Sequence, residues 1–276
     1  MVASHSCKMY DCAVGQGEMK TVEACIQTGW WHLCRVAIAA LAACAINAQA
    51  GELQPVRLVA GDLAPFATKQ GTPGPGALVE VAQEMVRRAT GTAVSLEFFP
   101  WKRAIAMVEA GPRVATLPLT RTLERESRYR WLARLYWQNF VFVALRGHVD
   151  LNNPNLLKDK NIAVLRGSPH LSALQDAGFR HVIECNTVTE CMRMVKNGLV
   201  DATYGGEAIH RAAAGKADDF AYSPTFREGE IWLAGSLDIP ASESPLWQAT
   251  LASMRSDGSY ARILRKYGLP PLDRDN

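Results

Sequence analysis

Residues 161–214 read NIAVLRGSPHLSALQDAGFRHVIECNTVTECMRMVKNGLVDATYGGEAIHRAAA, and this stretch decides the fold class. Short β-rich runs alternate with longer runs whose apolar residues recur at helical spacing. The predicted elements are a strand at 161–165, a helix at 169–177, a strand at 181–184, a helix at 187–197, a strand at 200–204 and a helix at 207–214. Strands that alternate with helices are typical of a parallel sheet covered by helices, so this stretch predicts an α/β unit.

The first half of the chain shows the same alternation. The predicted elements are a strand at 56–60, a helix at 77–89, a strand at 94–99, a helix at 100–110 and a strand at 114–119. Further strands are predicted at 140–145 and 231–234, and closing helices at 245–254 and 259–267. The sequence therefore predicts two α/β lobes, each a doubly wound sheet, and the cleft between two lobes is a favoured place for a ligand.

Length and composition agree with two lobes. At roughly 150 residues per domain, the 276 residues allow about two domains. Hydrophobic residues make up 48%, which is enough for a core and excludes wholesale disorder. The 30 Lys and Arg residues exceed the 27 Asp and Glu residues by only 3, so we predict no nucleic-acid partner.

The first 50 residues have the layout of an export signal. An apolar run covers residues 36–46, follows Arg35 and precedes the small-residue pattern Ala48-Gln49-Ala50. These eleven residues are too few to span a bilayer, which needs about 20. A positive flank, an apolar run and a small-residue exit are typical of a secretory signal peptide, so we predict that residues 1–50 are removed and that the protein is periplasmic.

Alternatives remain open in this segment. Met19-Lys20 is a more natural start for such a signal than Met1, so the start of the chain is open and residues 1–18 do not belong to the signal. The stretch Leu41-Ala42-Ala43-Cys44 resembles a lipobox, in which Cys44 would be acylated and would anchor the protein to a membrane. A buried N-terminal helix is a third interpretation.

Two of the seven cysteines, Cys185 and Cys191, remain after removal of the signal. An even pair in an oxidising compartment predicts a disulfide, which would add at most about 2–3 kcal/mol because it closes a short loop. Two unpaired buried thiols are the alternative. No metal site and no cofactor are predicted, because two thiols lack further ligands at suitable spacing.

A series of short motifs runs through residues 55–270. They are Ala64-Pro65-Phe66, Gly76, Phe99-Pro100-Trp101, Thr122-Leu123-Glu124-Arg125, Val164-Leu165-Arg166-Gly167-Ser168, Asn197-Gly198-Leu199-Val200-Asp201-Ala202 and Asp257-Gly258-Ser259-Tyr260 with Lys266-Tyr267-Gly268. Each motif alone is weak. Taken together, in their order and spacing, the motifs resemble those of the family-3 extracellular solute-binding proteins of polar amino-acid ABC transporters.

The resemblance implies a type-II-like, two-lobed periplasmic-binding-protein fold. Lobe 1 would comprise residues 52–143 and 233–276, and lobe 2 residues 147–229. Two crossing segments, near 144–146 and 230–232, would form the hinge, and the lobes would close on a small polar solute. The resemblance further implies a monomer whose closed form is recognised by an ABC permease in the inner membrane.

The resemblance also implies a ligand site. Arg125 stands where relatives grip the ligand's α-carboxylate, because a planar guanidinium offers paired donors to a carboxylate. Thr120 and Gly167-Ser168 stand where relatives supply a hydroxyl and backbone N–H groups to the same anion. Trp101 stands at the pocket wall. Interpreted without the family, Arg125 belongs to a solvated basic run, Ser168 caps a helix and Trp101 is a core aromatic.

Other positions depart from the family pattern. Leu63 stands where the family often has an aromatic residue that stacks on the ligand. Gly206 stands where amino-acid binders place an Asp for the ligand's ammonium group. Its neighbour Glu207 would either replace that Asp or cap the following helix. Arg103 and Arg166 join Arg125 as positive groups around an anion that need not be an α-amino acid.

Two alternatives to transport remain. One is a periplasmic dehydratase of the same fold acting on prephenate-like acids, for which Glu207 and His170 are the candidate general acids. The other is a ligand-sensing partner of a membrane receptor. The sequence contains no Ser-His-Asp arrangement, phosphate loop or metal motif, so we predict a binding protein rather than an enzyme.

Overall fold

The computed structural model describes residues 53–215 and 219–271. The predicted signal peptide, with the alternative start at Met19, the lipobox cysteine Cys44 and the cleavage pattern at 48–50, lies outside these residues. Within them, no helix is long and apolar enough to cross a membrane.

Strands and α-helices alternate through the described part of the chain, and most predicted elements lie within two residues of their expected bounds. The strands are β1 (Arg57–Ala60), β2 (Leu96–Phe98), β3 (Val114–Thr120), β4 (Arg130–Leu145), β5 (Asn161–Leu165), β6 (His181–Cys185), β7 (Ala202–Gly206), β8 (Phe220–Tyr222) and β9 (Arg227–Gly235). The helices are α1 (Ala77–Thr90), α2 (Trp101–Ala110), α3 (His170–Asp176), α4 (Val188–Lys196), α5 (Glu207–Ala214), α6 (Glu243–Ser256) and α7 (Ser259–Lys266).

The first half of the sheet has helices on both faces. Strand β1 pairs in parallel with β2 and with β3. Successive side chains of a strand point to opposite faces, so Leu58 packs in the same core as Met85 of α1, whereas Val59 packs with Ala104 of α2. This is the doubly wound arrangement predicted from the alternation of elements.

The second half has the same arrangement. Strand β5 pairs in parallel with β6 and with β7, and Ile162 lies opposite both Val182 and Ala202. Ile162 faces one core, and its neighbour Ala163 faces the other, where it packs with Val195 of α4. Strands buried on both faces read as nearly continuous apolar runs, which is why the sequence predicts β5 correctly.

Two long antiparallel strands, β4 and β9, join the halves. The sheet order is β2-β1-β3-β9-β4-β7-β5-β6, with β8 paired to β4. Strand β4 pairs with β9 from Arg130 to Phe140, and from Phe140 to Val143 it also pairs with β7. The predicted pair of crossing segments is therefore present as two strands. The residue boundaries predicted for the lobes and hinge stay a prediction.

Both joining strands are longer than predicted. Strand β4 starts at Arg130 rather than at residue 140, and β9 starts at Arg227 rather than at residue 231. The charged residues of these segments hide the strand pattern, but the fold gives them partners: Arg134 forms an ion pair with Glu230 across the two strands at 3.0 Å. The three-residue strand β8 was not predicted at all.

The predicted disulfide is confirmed. Cys185 at the end of β6 is bonded to Cys191 in the first turns of α4, and the two Cα atoms lie 5.5 Å apart. Both cysteines are buried. The alternative of two unpaired thiols is therefore wrong.

Candidate functional site

A small cavity lies between the two halves of the sheet, where the carboxyl ends of several parallel strands meet. Ligands of open α/β sheets bind at such strand ends. The lining residues are Leu63, Trp101, Pro118, Thr120, Arg125, Gln138, Phe140, Leu165, Ser168, Pro169, His170, Val188, Cys191, Tyr204, Gly205, Gly206, Ile209, His210 and Ile231. The remaining space is about 40 Å³, so a ligand larger than a few atoms requires the halves to separate.

Arg125 connects the two halves. It ends a 3-10 turn after β3, and only 6% of it is exposed. Its Nη1 donates to the carbonyl of Thr120 at 3.1 Å, and its Nη2 donates across the cavity to the carbonyl of Gly167 at 2.8 Å. These bonds use two of the five N–H donors of a guanidinium.

The charge of Arg125 has no carboxylate partner among the described residues, since both of its hydrogen-bond acceptors are neutral carbonyls. Burial lowers the pKa of Arg125 from its ordinary value, but the group stays protonated because an arginine pKa starts above about 12. Glu124 and Glu109 favour the charged form of Arg125 without forming an ion pair with it. A buried cation without a directly paired counter-ion is unfavourable, so the site favours an anion that enters it.

Two imidazoles at the cavity add no charge: His210 is buried and His170 is partly buried. His170 packs edge-on against the rings of Phe140 and Tyr204, with centroids 5.0 and 5.1 Å away, and burial lowers its pKa to about 3. Burial lowers the pKa of His210 to about 4. The Nδ1 of His210 lies 2.9 Å from the carbonyl of Gly206, and a carbonyl only accepts, so Nδ1 holds the proton. Both rings are neutral near pH 7.

The described lining of the cavity therefore carries one permanent charge, and this charge is positive. Of the described residues that line it, none is Asp or Glu, and Arg125 is the one permanently charged side chain. In the described part of the chain, no three His, Cys, Asp or Glu residues are grouped so as to hold a metal ion.

No protein-family model and no curated protein matches this sequence. By structure, the chain is similar to the arginine-, lysine-, histidine-binding protein ArtJ from the thermophilic bacterium Geobacillus stearothermophilus, with 20% identity, a TM-score of 0.71 and coverage of 80% of this chain and 99% of that one. It is also similar to the substrate binding protein of an amino acid ABC transporter, with 19% identity, a TM-score of 0.68 and coverage of 77% and 99%.

A third similar structure is a histidine kinase sensor domain with similarity to periplasmic binding proteins, with 15% identity, a TM-score of 0.71 and coverage of 79% and 99%. The fold is the two-lobed periplasmic-binding-protein fold. The predicted fold class is thereby confirmed. Identities of 15–20% establish the fold and not the ligand.

In this two-lobed fold, six of the predicted site residues line the inter-lobe cavity: Leu63, Trp101, Thr120, Arg125, Ser168 and Gly206. Gly167 contributes its carbonyl to Arg125 rather than its N–H to an anion. The N–H of Ser168 donates to the carbonyl of Leu165 at 3.0 Å, and its hydroxyl accepts from the His170 N–H at 3.4 Å. In this structure, Ser168 therefore bonds within its own turn, one residue before Pro169, which is the N-cap of α3.

Three predicted residues lie away from the cavity. Arg103 is exposed and stacks over Phe99, with its Cζ 5.1 Å from the ring centroid. Arg166 donates to Asn186 at 3.0 Å on its own lobe. Glu207 pairs with Arg211, one helical turn along, at 2.7 Å. Each has a local partner on the protein surface, so the structure gathers one arginine, and not three, around the cavity.

Gln138, Tyr204 and His210 line the cavity but were not predicted, and His170 was considered only as a candidate acid. Tyr204 and His210 look like core residues of a strand and an amphipathic helix. Gln138 lies in the part of β4 that the sequence did not reveal as a strand. A glutamine inside a run of aromatic and apolar residues is the one signal that would have identified it.

Proposed function

We propose that this protein is an extracytoplasmic solute-binding protein that closes its two lobes on a small carboxylate-bearing solute and presents it to an ABC permease. The observation that supports this proposal most directly is Arg125, a buried guanidinium without a carboxylate partner among the described residues, bonded to carbonyls from both lobes. A ligand carboxylate would supply the missing charge with paired, charge-assisted hydrogen bonds.

The same geometry links binding to closure. A ligand shifts an open–closed equilibrium only by binding one state better than the other. Arg125 reaches Thr120 in lobe 1 and Gly167 in lobe 2, so a carboxylate held by Arg125 would contact both lobes only when they are together. The proposed hinge is formed by β4 and β9, the two strands that join the lobes.

The proposed location is the periplasm. The export signal predicted at residues 1–50 and the disulfide between Cys185 and Cys191 both agree with an oxidising compartment outside the cytoplasm. Two similar structures are named for amino-acid binding or for an amino acid ABC transporter, which supports a small polar solute as the ligand class. A monomer is proposed on the resemblance alone.

A second candidate function is ligand sensing. A histidine kinase sensor domain has this fold at a TM-score of 0.71, so the same cavity would serve a protein that docks on a receptor. The enzyme alternative has less support. Glu207 lies outside the cavity, and His170, whose pKa burial lowers to about 3, is a poor proton donor near neutral pH.

The test is calorimetric titration of the exported protein with L-amino acids, 2-hydroxy acids and dicarboxylates. Arg125→Gln should weaken binding by about 2–5 kcal/mol, or roughly 30-fold to several thousand-fold, because it removes one partner of a buried charge pair. The matched control is Arg57→Gln, an exposed arginine that pairs with Glu97 at 2.5 Å and is absent from the cavity lining. Equal affinity in both variants, or binding of no carboxylate at all, would exclude the proposed function.

A further inference from the structure

Gln138 fills the space in front of Gly206. Only 3% of Gln138 is exposed, and it lies on β4 where that strand passes between the lobes. A Cβ atom added at Gly206 would lie 2.5 Å from the Gln138 Cδ and still closer to its amide nitrogen. The absence of a side chain at residue 206 therefore allows the Gln138 amide to occupy this wall of the cavity.

The amide of Gln138 has an unused acceptor. Its Oε1 is fully buried and has no hydrogen-bond partner among the described residues. Most buried polar side-chain atoms in proteins have a partner, so an exception at the wall of a ligand cavity indicates a donor supplied by the ligand. Either a hydroxyl group or an ammonium group would supply that donor.

Charge decides between these two donors. An α-amino acid would bring an ammonium group into a cavity whose described lining contains Arg125 and no Asp or Glu. The neutral rings of His170 and His210 cannot balance that second positive charge. A buried charge without a partner is strongly unfavourable, whereas a hydroxyl donates to an amide oxygen without adding charge.

We propose that Gln138 determines specificity and that the ligand is a small monocarboxylate with a neutral hydroxyl donor beside the carboxylate, a 2-hydroxy acid, rather than an α-amino acid. This inference rests on the proposed function, since it assumes that Arg125 holds the carboxylate. Apolar walls formed by Leu63, Trp101 and Phe140 would take the remainder of the molecule.

The experiment uses pairs of probes that differ only in the group beside the carboxylate. They are glycolate and glycine, L-lactate and L-alanine, and L-3-phenyllactate and L-phenylalanine. Calorimetric titration of the exported protein measures the affinity ratio within each pair. We expect at least one pair to bind, with the hydroxy acid at least tenfold tighter than its amino acid.

A charge variant tests whether Gln138 sets this ratio. Gln138→Glu places a carboxylate on the same wall at nearly constant volume, so it should shift the ratio at least tenfold toward the amino acid. Gln175→Glu adds the same charge at an exposed position of α3 and should leave the ratio unchanged. A thermal melt of each variant checks that it is folded. If Gln138→Glu unfolds, Gln138→Leu replaces it, and this variant should lose the preference for the hydroxy acid over the amino acid.

The outcomes separate the inference from the proposed function. Amino acids that bind as tightly as their hydroxy partners, or no binding by any hydroxy acid, overturn the inference. If amino acids or dicarboxylates then bind in an Arg125-dependent manner, the proposed function stands without it. If no carboxylate binds, both are overturned. A ratio that Gln138→Glu and Gln138→Leu leave unchanged overturns the role assigned to Gln138.

Discussion

The buried ring of His210 makes a quantitative prediction about acid stability. The ring is 3% exposed, and its Nδ1 and Nε2 lie 2.9 Å from the Gly206 carbonyl and 3.2 Å from the Thr203 hydroxyl. Burial lowers its pKa from 6.5 to about 4 in the folded state. Because the unfolded chain binds the proton first, stability is unaffected by this group above about pH 6.5 and falls as the pH decreases from there toward 4.

The magnitude follows from the two pKa values of His210. At pH 5 the unfolded imidazole is almost fully protonated and the folded one is mostly neutral. The difference corresponds to about 1.5 pKa units, which is about 2 kcal/mol at 1.36 kcal/mol per unit. His170, whose pKa is also lowered by burial, adds a loss with the same sign, so a variant is needed to isolate the share of His210.

The assay is guanidinium denaturation of the wild type and of His210→Asn at pH 7.5 and pH 5.0. The wild-type free energy of unfolding should fall between these pH values by about 2 kcal/mol more than that of the variant. His181→Asn, which removes an exposed imidazole on β6, is the matched control and should reproduce the wild-type fall. An equal fall in His210→Asn and the wild type would refute the reasoning.

Two further stability predictions follow from the same region. Gly206→Ala should destabilise the fold by about 1 kcal/mol, because its Cβ would displace the end of the buried Gln138 side chain. Guanidinium denaturation measures the loss, and the same Gly206→Ala change should cost much less when it is made in a Gln138→Ala background. Replacing both Cys185 and Cys191 by Ala should cost about 2 kcal/mol, since the bridge closes a short loop. Guanidinium denaturation also measures this cost. The prediction is contradicted if the wild type, under reducing conditions, stays more stable than the double cysteine variant.

The sequence was informative where a strand is buried on both faces. The apolar run at 161–165 is typical of a strand that is covered on both faces, and β5 has those bounds. The first part of strand β4 was not predicted, because Arg130 and Arg134 interrupt its apolar pattern. In the fold, both arginines have partners: Arg130 Nε donates to the Ile239 carbonyl at 2.9 Å, and Arg134 pairs with Glu230. Such partners lie about a hundred positions away, so no local pattern reveals them.

The candidate site likewise contains some residues that the sequence could reveal and others that it could not. Arg125, Thr120 and Trp101 could be placed because each stands at the end of a strand or shortly after one, within or near a recognisable motif. Gln138 could not, because its meaning depends on the approach of β4 to Gly206 in the fold. Arg103 and Arg166 were grouped with Arg125 by charge alone, but local partners hold their side chains away from the cavity.

The two carbonyl contacts of Arg125 also fix where a carboxylate can bind. The carbonyls of Thr120 and Gly167 take two of the five N–H donors, so an entering anion is directed to the donors that stay available. The guanidinium is thereby held in one orientation before the cargo arrives, and less side-chain entropy is lost when the anion binds. The backbone of both lobes therefore acts as a jig that aligns the arginine for its cargo.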